Sequence, residues 1–403
     1  MANKFLLITQ VFYPDEVSTA NLFTNLCSVL AEDHVEVEVW CAQPSYTHFE
    51  KQPGKIIYNG ININYLSSTN FPKSNFFGRL TNYLTFALSV VWKLLFSKDK
   101  TPIFTHTTPP SLGIVLSFIC SIRKRKFIYV LLDIFPDGLI RLRKVSESNF
   151  FIWLWKKLNI AALKRSEKII VIGRDMKQWI ADVYTGGLDK TEYIPLWQDD
   201  RLIHPIGFDK NEFVKEHQLH GNFVVQYSGN MGLWNEMETF GKAVKRNVEG
   251  VLFMFVGGGM RKNELLSTFS ADDQKNVLIL PFQPNEKLSN VLTGCHVGLV
   301  SLKDGLEGIA VPSKIYGIMA AGVPVIAMVP EQSEIAYVIR EEKCGYVIDP
   351  CDVDGLINAV LELKSDEQLR KKMGINGRKA FEQKYTTKVI AGKYKLLMLD
   401  IFI

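Results

Sequence analysis

Residues 297–327 read VGLVSLKDGLEGIAVPSKIYGIMAAGVPVIA and combine two apolar runs with a helical segment between them. The first run, VGLVSL, and the last, VPVIA, each have the length and composition of a buried β-strand. Two glycines permit a loop after the first strand. Pro312 and Ser313 predict the start of a helix, and Gly322 predicts its end. The stretch therefore predicts a strand, a helix and a second strand of one parallel sheet.

The same alternation of strands and helices runs through the whole chain, which predicts an α/β protein. At 403 residues the chain is too long for one ordinary core. We expect an N-terminal Rossmann-like domain (residues 1–200), a second one (201–380) and a C-terminal helix (381–403) that crosses back to the first. Residues 198–221 are polar and are expected to form a linker. The strand candidates are KFLLITQVF, VEVEVWCA, PIFTHT, KFIYVLLD and KIIVI, then NFVVQYSGN, VLFMFVGGG, NVLILPF, VGLVSL, VPVIAMV and GYVI.

Two such sheets would turn their binding edges towards one cleft, because ligands of open α/β sheets bind beyond the carboxyl ends of the strands. Composition agrees with a globular protein, with 47% hydrophobic and 22% charged residues. Six scattered cysteines predict buried free thiols and a reducing compartment, and their spacing matches no zinc site. The longest apolar stretch, Leu80–Trp92, is shorter than a membrane span. We expect a cytoplasmic protein.

Positive charge is concentrated between Ser121 and Arg165, a stretch that contains eleven Lys and Arg residues and three acidic residues. Such a stretch attracts anionic lipid headgroups or other polyanions, and a solvated surface is the alternative. No sequence signature of a nucleic-acid-binding module is present, so we expect no nucleic-acid partner. Together with the Leu80–Trp92 segment, the charge suggests peripheral attachment to the inner face of a membrane.

Two glycine-rich turns follow strands of the second domain. In YSGNMG (Tyr227–Gly232), the backbone N–H groups of Gly229, Asn230 and Met231 are candidates for phosphate binding, although G-x-x-G after a strand is more often only a tight turn. In VGGGMRKNEL (Val256–Leu265), Arg261 at a helix start makes an anion-compatible turn, or else a flexible connection with solvated charges.

The helix start near Pro312 is the most informative position for chemistry. Lys314 lies in the first turn, where a positive charge is unfavourable unless an anion occupies the same helix end. A diphosphate beside Ser313 and Lys314 would be addressed by backbone amides, the helix dipole and the ammonium group together. Glu307, just upstream, is an acid that can accept hydrogen bonds from sugar hydroxyls. Ordinary surface charges are the alternative for both.

The first domain offers a carboxylate in VLLDIFPDGL (Val130–Leu139). Asp133 comes at the carboxyl end of a strand, and we expect it to bind or deprotonate an acceptor hydroxyl. Asp137 follows four residues later. The alternative for both is capping of the next helix.

Taken together, these segments resemble glycosyltransferase family 4, the retaining enzymes of GT-B fold, and within it the branch that builds bacterial O-antigen, capsule and exopolysaccharide units. The resemblance spans nearly the whole chain. It is carried by FYPDE, CAQPSYTHF, TTPPSLG, LLDIFPD, SEKIIVIGRDMK, IPLW, YSGNMG, LPFQPNEKLSNVL and VPSKIYGIMAAGVPVIA.

The resemblance implies a nucleotide diphosphate sugar as donor, UDP-sugar above all, and no metal or other cofactor. The diphosphate would lie near Gly229, Asn230 and Lys314, the base against the Pro281–Pro284 loop, and the sugar near Glu307. The implied catalytic residues are Asp133, Glu307 and Lys314. The implied donor-binding residues are Gly229, Asn230, Met231, Arg261, Gln283, Pro284, Ser313 and Lys314.

Several positions depart from the family pattern. The usual R-x4-K positions are Asn230 and Asn235, the second Glu of the E-x7-E pair is Gly317, and Leu132 stands where a histidine is frequent. We expect Lys314 to take over phosphate neutralisation.

The sequence therefore predicts a hexosyl- or N-acetylhexosaminyl-transferase acting on a glycan or lipid-linked acceptor. The alternatives are a sugar-nucleotide 2-epimerase of the same fold and a catalytically silent sugar-nucleotide binding protein.

Overall fold

A computed structural model of the chain describes residues 4–47, 49–72, 76–268 and 275–402. The chain divides into two compact units: Met1–Pro195 together with Thr387–Ile403, and Leu196–Thr386. The boundaries that we expected, after residues 200 and 380, lie close to these. The two ends of the second unit are neighbours, because the amide of Gln198 donates to the carbonyl of Tyr385 at 3.1 Å and Gln198 also bridges to Thr386.

The first unit is built on an eight-stranded sheet of order β3-β4-β2-β1-β5-β6-β7-β8, parallel except for the antiparallel pair β3 and β4. Its elements in chain order are β1 (Lys4–Ile8), α1 (Ser18–Glu32), β2 (Glu36–Cys41), β3 (Lys55–Tyr58), β4 (Ile61–Tyr65), α2 (Phe76–Phe96), β5 (Ile103–His106), α3 (Leu112–Arg123), β6 (Phe127–Leu131), α4 (Asp137–Arg141), α5 (Phe150–Arg165), β7 (Lys168–Val171), α6 (Asp175–Val183) and β8 (Thr191–Tyr193).

The antiparallel pair was missed at the sequence level. Asn59 and Gly60, between β3 and β4, both have positive φ, 47° and 77°, as a two-residue hairpin turn requires. Asn-Gly between two short strands was the signal for it. The hairpin adds β3 and β4 beside β2 at one edge of the sheet.

Handedness distributes the helices over the two faces of this sheet. Right-handed connections place α1 on one face and α2, α3 and α5 on the other, because the strand order reverses between β1 and β5. The last helix, α15 (Thr387–Phe402), packs against α1. Tyr394 of α15 lies 6.3 Å from Phe5 between ring centroids, and Lys395 pairs with Asp33 at 3.0 Å.

The second unit is built on a six-stranded parallel sheet of order β11-β10-β9-β12-β13-β14, and all six strands predicted for it are present. Its elements are α7 (Glu212–Glu216), β9 (Phe223–Asn230), α8 (Glu238–Val244), β10 (Val251–Gly258), α9 (Lys262–Leu266), β11 (Val277–Leu280), α10 (Leu288–Thr293), β12 (Val297–Ser301), α11 (Lys314–Ala320), β13 (Val325–Met328), α12 (Glu334–Glu342), β14 (Gly345–Ile348), α13 (Val353–Ser365) and α14 (Glu367–Lys384).

Two details of the predicted organisation are wrong. The C-terminal segment is not one helix, because α14 ends at Lys384 and α15 begins at Thr387. Residues 198–221 are not a free linker either. Asn211 is fully buried there, donates to the carbonyl of Asn290 at 2.8 Å and accepts from the amide of Phe213 at 2.9 Å, which caps α7. The polar residues of this segment therefore include side chains that build the second unit.

All six cysteines are free. Five of them are buried as expected, whereas Cys351 is exposed. Among the described helices, none combines the length and the hydropathy needed to cross a bilayer.

A close backbone approach in the second sheet joins the carboxyl ends of β9 and β10, where Gly229 pairs with Gly257. A Cβ atom at Gly257 would lie 2.3 Å from the carbonyl oxygen of Gly229, and the φ of Gly257 is +130°. Gly259 (φ +140°) has the same constraint, with the carbonyl oxygen of Met231 2.5 Å from its Cβ position. Glycine is required here because both the space and the backbone conformation exclude a side chain.

We expect Gly257→Ala to lower the free energy of unfolding by about 2–4 kcal/mol, because the backbone of β9 must move to admit the methyl group. Urea denaturation measures this. Gly305→Ala is the control, since its φ is also positive at +77° but no atom lies within 4 Å of its Cβ position. It should cost about 1 kcal/mol. Equal losses in the two variants would contradict the close-approach argument.

Candidate functional site

The strand order of the second sheet reverses between β9 and β12, since β10 and β11 extend it to one side and β13 and β14 to the other. Such a switch point leaves a crevice at the carboxyl ends of the two strands, which is where open α/β sheets bind ligands. The carboxyl end of β9 and the loop after it contain Gly229–Gly232, and the loop after β12 leads to Lys314. The topology thus brings together the two segments that the sequence singled out for anion binding.

Lys314 bridges these two loops. Its Nζ atom donates to the carbonyl oxygen of Asn230 at 3.0 Å and lies 5.1 Å from the ring centroid of Tyr227. The Cε atom is only 3.1 Å from the position that a Cβ of Gly229 would occupy, so the lysine stem fills the space left by that glycine. An ammonium group has three N–H donors, and the bond to Asn230 uses one of them.

Burial lowers the pKa of Lys314 to about 8. The ammonium form is therefore less stabilised by its surroundings than it would be in water, and a bound anion would restore the pKa. Lys314 is also the first residue of α11, which has only seven residues, and Ser313 makes no side-chain capping bond. The positive character of this point therefore rests on the lysine more than on the helix dipole.

Met231 and Arg261 contribute mainly to the shape of the turn. The Met231 side chain is fully buried, its amide donates to the carbonyl of Gly258 at 2.7 Å, and its carbonyl accepts from the amide of Arg261 at 3.1 Å. The Arg261 guanidinium forms a salt bridge with Glu264 in the next turn of α9. The side chain and the amide of Met231 are therefore both used within the protein and are not available to a bound nucleotide sugar. The charge of Arg261 is already paired with Glu264.

Asn235 is a residue whose role the sequence did not reveal. Its Oδ1 accepts from the amide of Gly232 at 2.8 Å, and its Nδ2 donates to the carbonyl of Ser301 at 3.1 Å. The side chain is buried and ties the loop after β9 to the end of β12. An asparagine with an acceptor and a donor performs this function, and a lysine, which has donors only, would not.

The remaining predicted donor-binding residues lie in neighbouring loops of the same unit. Glu307 is half-buried in the loop between β12 and α11. Gln283 and Pro284 follow β11, at the far edge of the sheet, and the Gln283 side chain donates to the carbonyl of Pro281 at 3.1 Å. The exposed ring of Phe282 lies against Gly258, 3.4 Å from its Cβ position, which links this loop to the end of β10.

In the first unit, Asp133 follows β6 and is half-buried. Its backbone amide and that of Leu132 both donate to Thr107 Oγ1, at 3.2 and 3.0 Å, which holds the segment against the end of β5. Among the described residues no group donates a hydrogen bond to its carboxylate. Burial raises the pKa of Asp133 to about 6. Asp137, by contrast, pairs with Lys156 at 3.5 Å.

His106, at the end of β5, is a core residue. Thr9 Oγ1 donates to the carbonyl of Val11 at 3.0 Å, so His106 Nε2, 2.8 Å away, must donate to that oxygen. His106 Nδ1 accepts from the amide of Thr108 at 3.2 Å. Both ring nitrogens are thus satisfied in the neutral form, and burial lowers the pKa of His106 to about 3.

Asp15, in the FYPDE segment after β1, organises a second loop at this edge of the first sheet. Its carboxylate accepts from the amides of Ser45, Tyr46 and Thr47 at 3.1, 3.0 and 2.8 Å. The side chain is almost completely buried. Three charge-assisted bonds to backbone make it a loop anchor.

Within the described residues, no group of three or more His, Cys, Asp or Glu side chains is arranged to hold a metal ion. Two α/β units with parallel sheets, each switching strand order at its centre, define the GT-B class of fold. Residues 209–380 match the domain family described as Glycosyl transferases group 1.

Known proteins support this classification. The chain is 25% identical over 240 residues to the probable glycosyltransferase WbjE of Pseudomonas aeruginosa, a match covering 59% of this chain and 60% of that protein. It is 23% identical to the capsular polysaccharide biosynthesis glycosyltransferase CapM of Staphylococcus aureus, over 74% and 76% of the two chains. Anabaena HepE, solved in complex with UDP, superposes with a TM-score of 0.71 at 16% identity over 98% of this chain and 100% of its own.

We expect Asp133→Asn to raise the free energy of unfolding by about 2–3 kcal/mol near pH 7.5, because the isosteric amide removes a buried charge. The pKa of Asp133 is raised in the folded state, so its ionisation opposes folding above the unfolded-state pKa near 3.9. The gain should fall to about half near pH 5. Chemical denaturation at both pH values measures it. A gain that does not change with pH would contradict this account.

Proposed function

We propose that the protein is a glycosyltransferase that moves a sugar from a nucleotide diphosphate donor, with a UDP-sugar as the favoured donor. The observation that carries the proposal is the half-buried ammonium of Lys314, held over Gly229 and Asn230 at the switch point of a group 1 glycosyltransferase domain. The similarity to HepE, whose solved structure contains UDP, supports the choice of nucleotide.

In this proposal Lys314 neutralises the charge that develops on the leaving diphosphate. A preorganised cation in a water-poor site stabilises such charge without first having to reorganise. Gly229 and Asn230 line the diphosphate, while Ser313 and Arg261 lie beside it. The loop with Gln283 and Pro284 receives the base, and Glu307 accepts hydrogen bonds from the sugar hydroxyls. No metal is required for the transfer in this scheme.

Asp133 is the proposed acceptor-side residue. Its raised pKa, about 6, suits a group that accepts a hydrogen bond or a proton from an acceptor hydroxyl near neutral pH. We propose that transfer retains the anomeric configuration: the bond from the anomeric carbon to the nucleoside diphosphate breaks, and the acceptor oxygen bonds to that carbon on the same face. The sugar moved would be a hexose or an N-acetylhexosamine.

The proposed acceptor is a glycan or a lipid-linked saccharide in the synthesis of a bacterial surface polysaccharide. CapM, named for capsular polysaccharide biosynthesis, supports that setting. A lipid-linked acceptor would place the enzyme at the inner face of the cytoplasmic membrane, and the excess of Lys and Arg between Ser121 and Arg165 supports such a location.

A panel of UDP-, GDP- and dTDP-sugars separates this function from its two alternatives. A glycosyltransferase releases the nucleoside diphosphate when acceptor is added. A 2-epimerase changes the donor sugar, and a silent binding protein binds without turnover. Release of diphosphate with one donor class is the expected result.

We expect Lys314→Ala to lower kcat/KM about 10²–10³-fold and to weaken UDP binding at least about tenfold, because one cation serves both the ground state and the leaving group. Steady-state kinetics and calorimetry measure the two effects. Lys371→Ala is the matched control, since Lys371 is an exposed lysine of the same unit that pairs with Glu367. Near-normal turnover of Lys314→Ala would remove Lys314 from the mechanism.

The same lysine predicts a pH dependence. UDP affinity should be constant between about pH 7 and the Lys314 pKa of about 8, and should then fall by up to about tenfold per pH unit, because the free protein must take up a proton to bind. Lys314→Met should have weak affinity with no such fall. A wild-type affinity that is flat up to pH 10 would contradict the assignment.

We expect Asp133→Asn to reduce turnover about 10²–10⁴-fold while leaving UDP affinity unchanged, because an amide cannot take a proton. Asp137→Asn is the control in the same segment, and since Asp137 pairs with Lys156 it should retain most of the activity. If both variants lost turnover equally, the effect would come from the segment's structure and not from Asp133 chemistry.

A further inference from the structure

Helix α2 is apolar on two opposite sides. Its inner side carries Phe86, Val90 and Leu94, which are all buried. Its outer side, half a turn away, carries exposed side chains in steps of three and four residues. These residues, here called the outer stripe, are Phe77, Leu80, Leu84, Leu88, Trp92 and Phe96, and they are 45–75% exposed.

A surface helix normally turns a polar face to water. The outer stripe has no polar side chain among its six members, and the whole helix contains no acidic residue. With side-chain areas of about 150–250 Å² each, the stripe exposes on the order of 800 Å² of apolar surface, above the roughly 300–600 Å² typical of the largest patch on a soluble monomer. An exposed apolar patch of this size is typical of a surface that contacts another protein or a membrane.

The neighbouring helices extend this surface. Helix α3 packs between α2 and α5 on the same face of the sheet. It exposes Phe118 and Ile122, and the start of α5 exposes Phe150, Phe151 and Trp153. An open groove beside α2, lined by Leu66, Ser67 and Lys93 together with members of the outer stripe, completes the surface.

Positive charge lines this surface. The ends of α2 and α3 meet where Arg123 donates to the carbonyl of Ser97 at 2.8 Å, and Lys98 and Lys124 are exposed beside that contact. On α5, Arg165 lies over the ring of Phe118 at 4.6 Å. The acidic residues nearby are paired with lysines: Asp99 with Lys4, Glu147 with Lys156, and Glu167 with Lys126.

We propose that the outer stripe and its flanking cations form the surface on which the protein lies against an anionic phospholipid bilayer. Apolar side chains that enter the headgroup boundary, with Lys and Arg around them, are the composition of an interfacial helix. A second copy of the chain does not fit as well, because two such positive surfaces would repel each other. This inference rests on the proposed location at a membrane and adds the surface that makes the contact.

The orientation suits the proposed reaction. The helices of this face run antiparallel to the strands, so the first turns of α2 and α5 lie at the edge of the sheet where Asp133 follows β6. A bilayer against this surface would bring the headgroup region alongside that edge. A lipid-linked acceptor could then reach Asp133 without leaving the membrane.

The test measures sedimentation with vesicles of equal parts phosphatidylglycerol and phosphatidylcholine, in the absence of nucleotide. We expect the triple variant Leu84→Gln/Leu88→Gln/Trp92→Gln to bind these vesicles at least about tenfold more weakly than the wild type. The matched control is Leu361→Gln/Ile375→Gln in the second unit, where Ile375 is 68% exposed and Leu88 is 69% exposed. The control should bind like the wild type.

A second variant tests the charges. Lys98→Ala/Lys124→Ala should weaken binding to the anionic vesicles roughly tenfold and have little effect on binding to pure phosphatidylcholine. All these positions are exposed, so folding should be retained, and UDP binding without vesicles verifies this for each variant. The charge test avoids Arg125, which is buried and donates to the carbonyl of Thr101 at 2.7 Å.

Two results would overturn the proposal. One is a wild type that does not bind the vesicles, or a triple variant that binds them equally well. The other is a wild-type dimer in sedimentation velocity that the triple variant converts to monomer, which would assign the surface to a second copy. Either result with UDP binding intact leaves the proposed donor site standing, whereas loss of the Lys314 effects would remove that site and not the surface.

Discussion

The contact between the Lys314 stem and Gly229 depends on the backbone being bare at the ends of β9 and β10. Gly229, Gly257 and Gly259 allow two strands and one lysine to occupy a space that side chains would fill. The lysine carbon chain gains a packing surface there, but its ammonium loses water, and the lowered pKa of Lys314 records that loss. A group held charged at this cost is a group prepared for a negative partner. Asn235 and the Met231 amide keep the loop in place around it.

The first unit shows the opposite case, a carboxylate held where its charge is disfavoured. Asp133 is fixed through its backbone by Thr107, and its side chain has no donor among the described residues. Asp15 lies at the same edge and receives three amide bonds. One carboxylate is therefore used for structure, and the other keeps its acceptor capacity. The two carboxylates differ because the loop at residues 45–47 turns its amides towards Asp15, whereas no described group donates to the carboxylate of Asp133.

Much of the architecture can be predicted from local patterns of apolar residues in the sequence. Buried parallel strands are continuous apolar runs, so the six strands of the second sheet are visible in the sequence. The β3–β4 hairpin was not predicted although Asn59-Gly60 signals it, because its two strands are short and half-exposed and do not form a continuous apolar run. The polar segment 198–221 resembled a linker, since sequence does not reveal that Asn211 is buried with all its hydrogen bonds made. The pairing of Lys314 with Asn230, 84 positions away, arises from the strand order alone. For the same reason the sequence did not show that Arg261 forms a salt bridge with Glu264, or that the Met231 side chain is buried in the core.

The path of the chain also has a consequence for synthesis on the ribosome. The second unit is inserted into the first, entering at Leu196 and leaving at Thr386, where Gln198 and Tyr385 lie side by side. Translation proceeds from the N-terminus, so all eight strands of the first sheet emerge before the inserted unit, while α15 emerges only after it. Until then α1 lacks its partner helix, and the apolar side chains that Tyr394 covers remain open to water or to chaperones. The first unit therefore completes its fold only after the second unit has been synthesised.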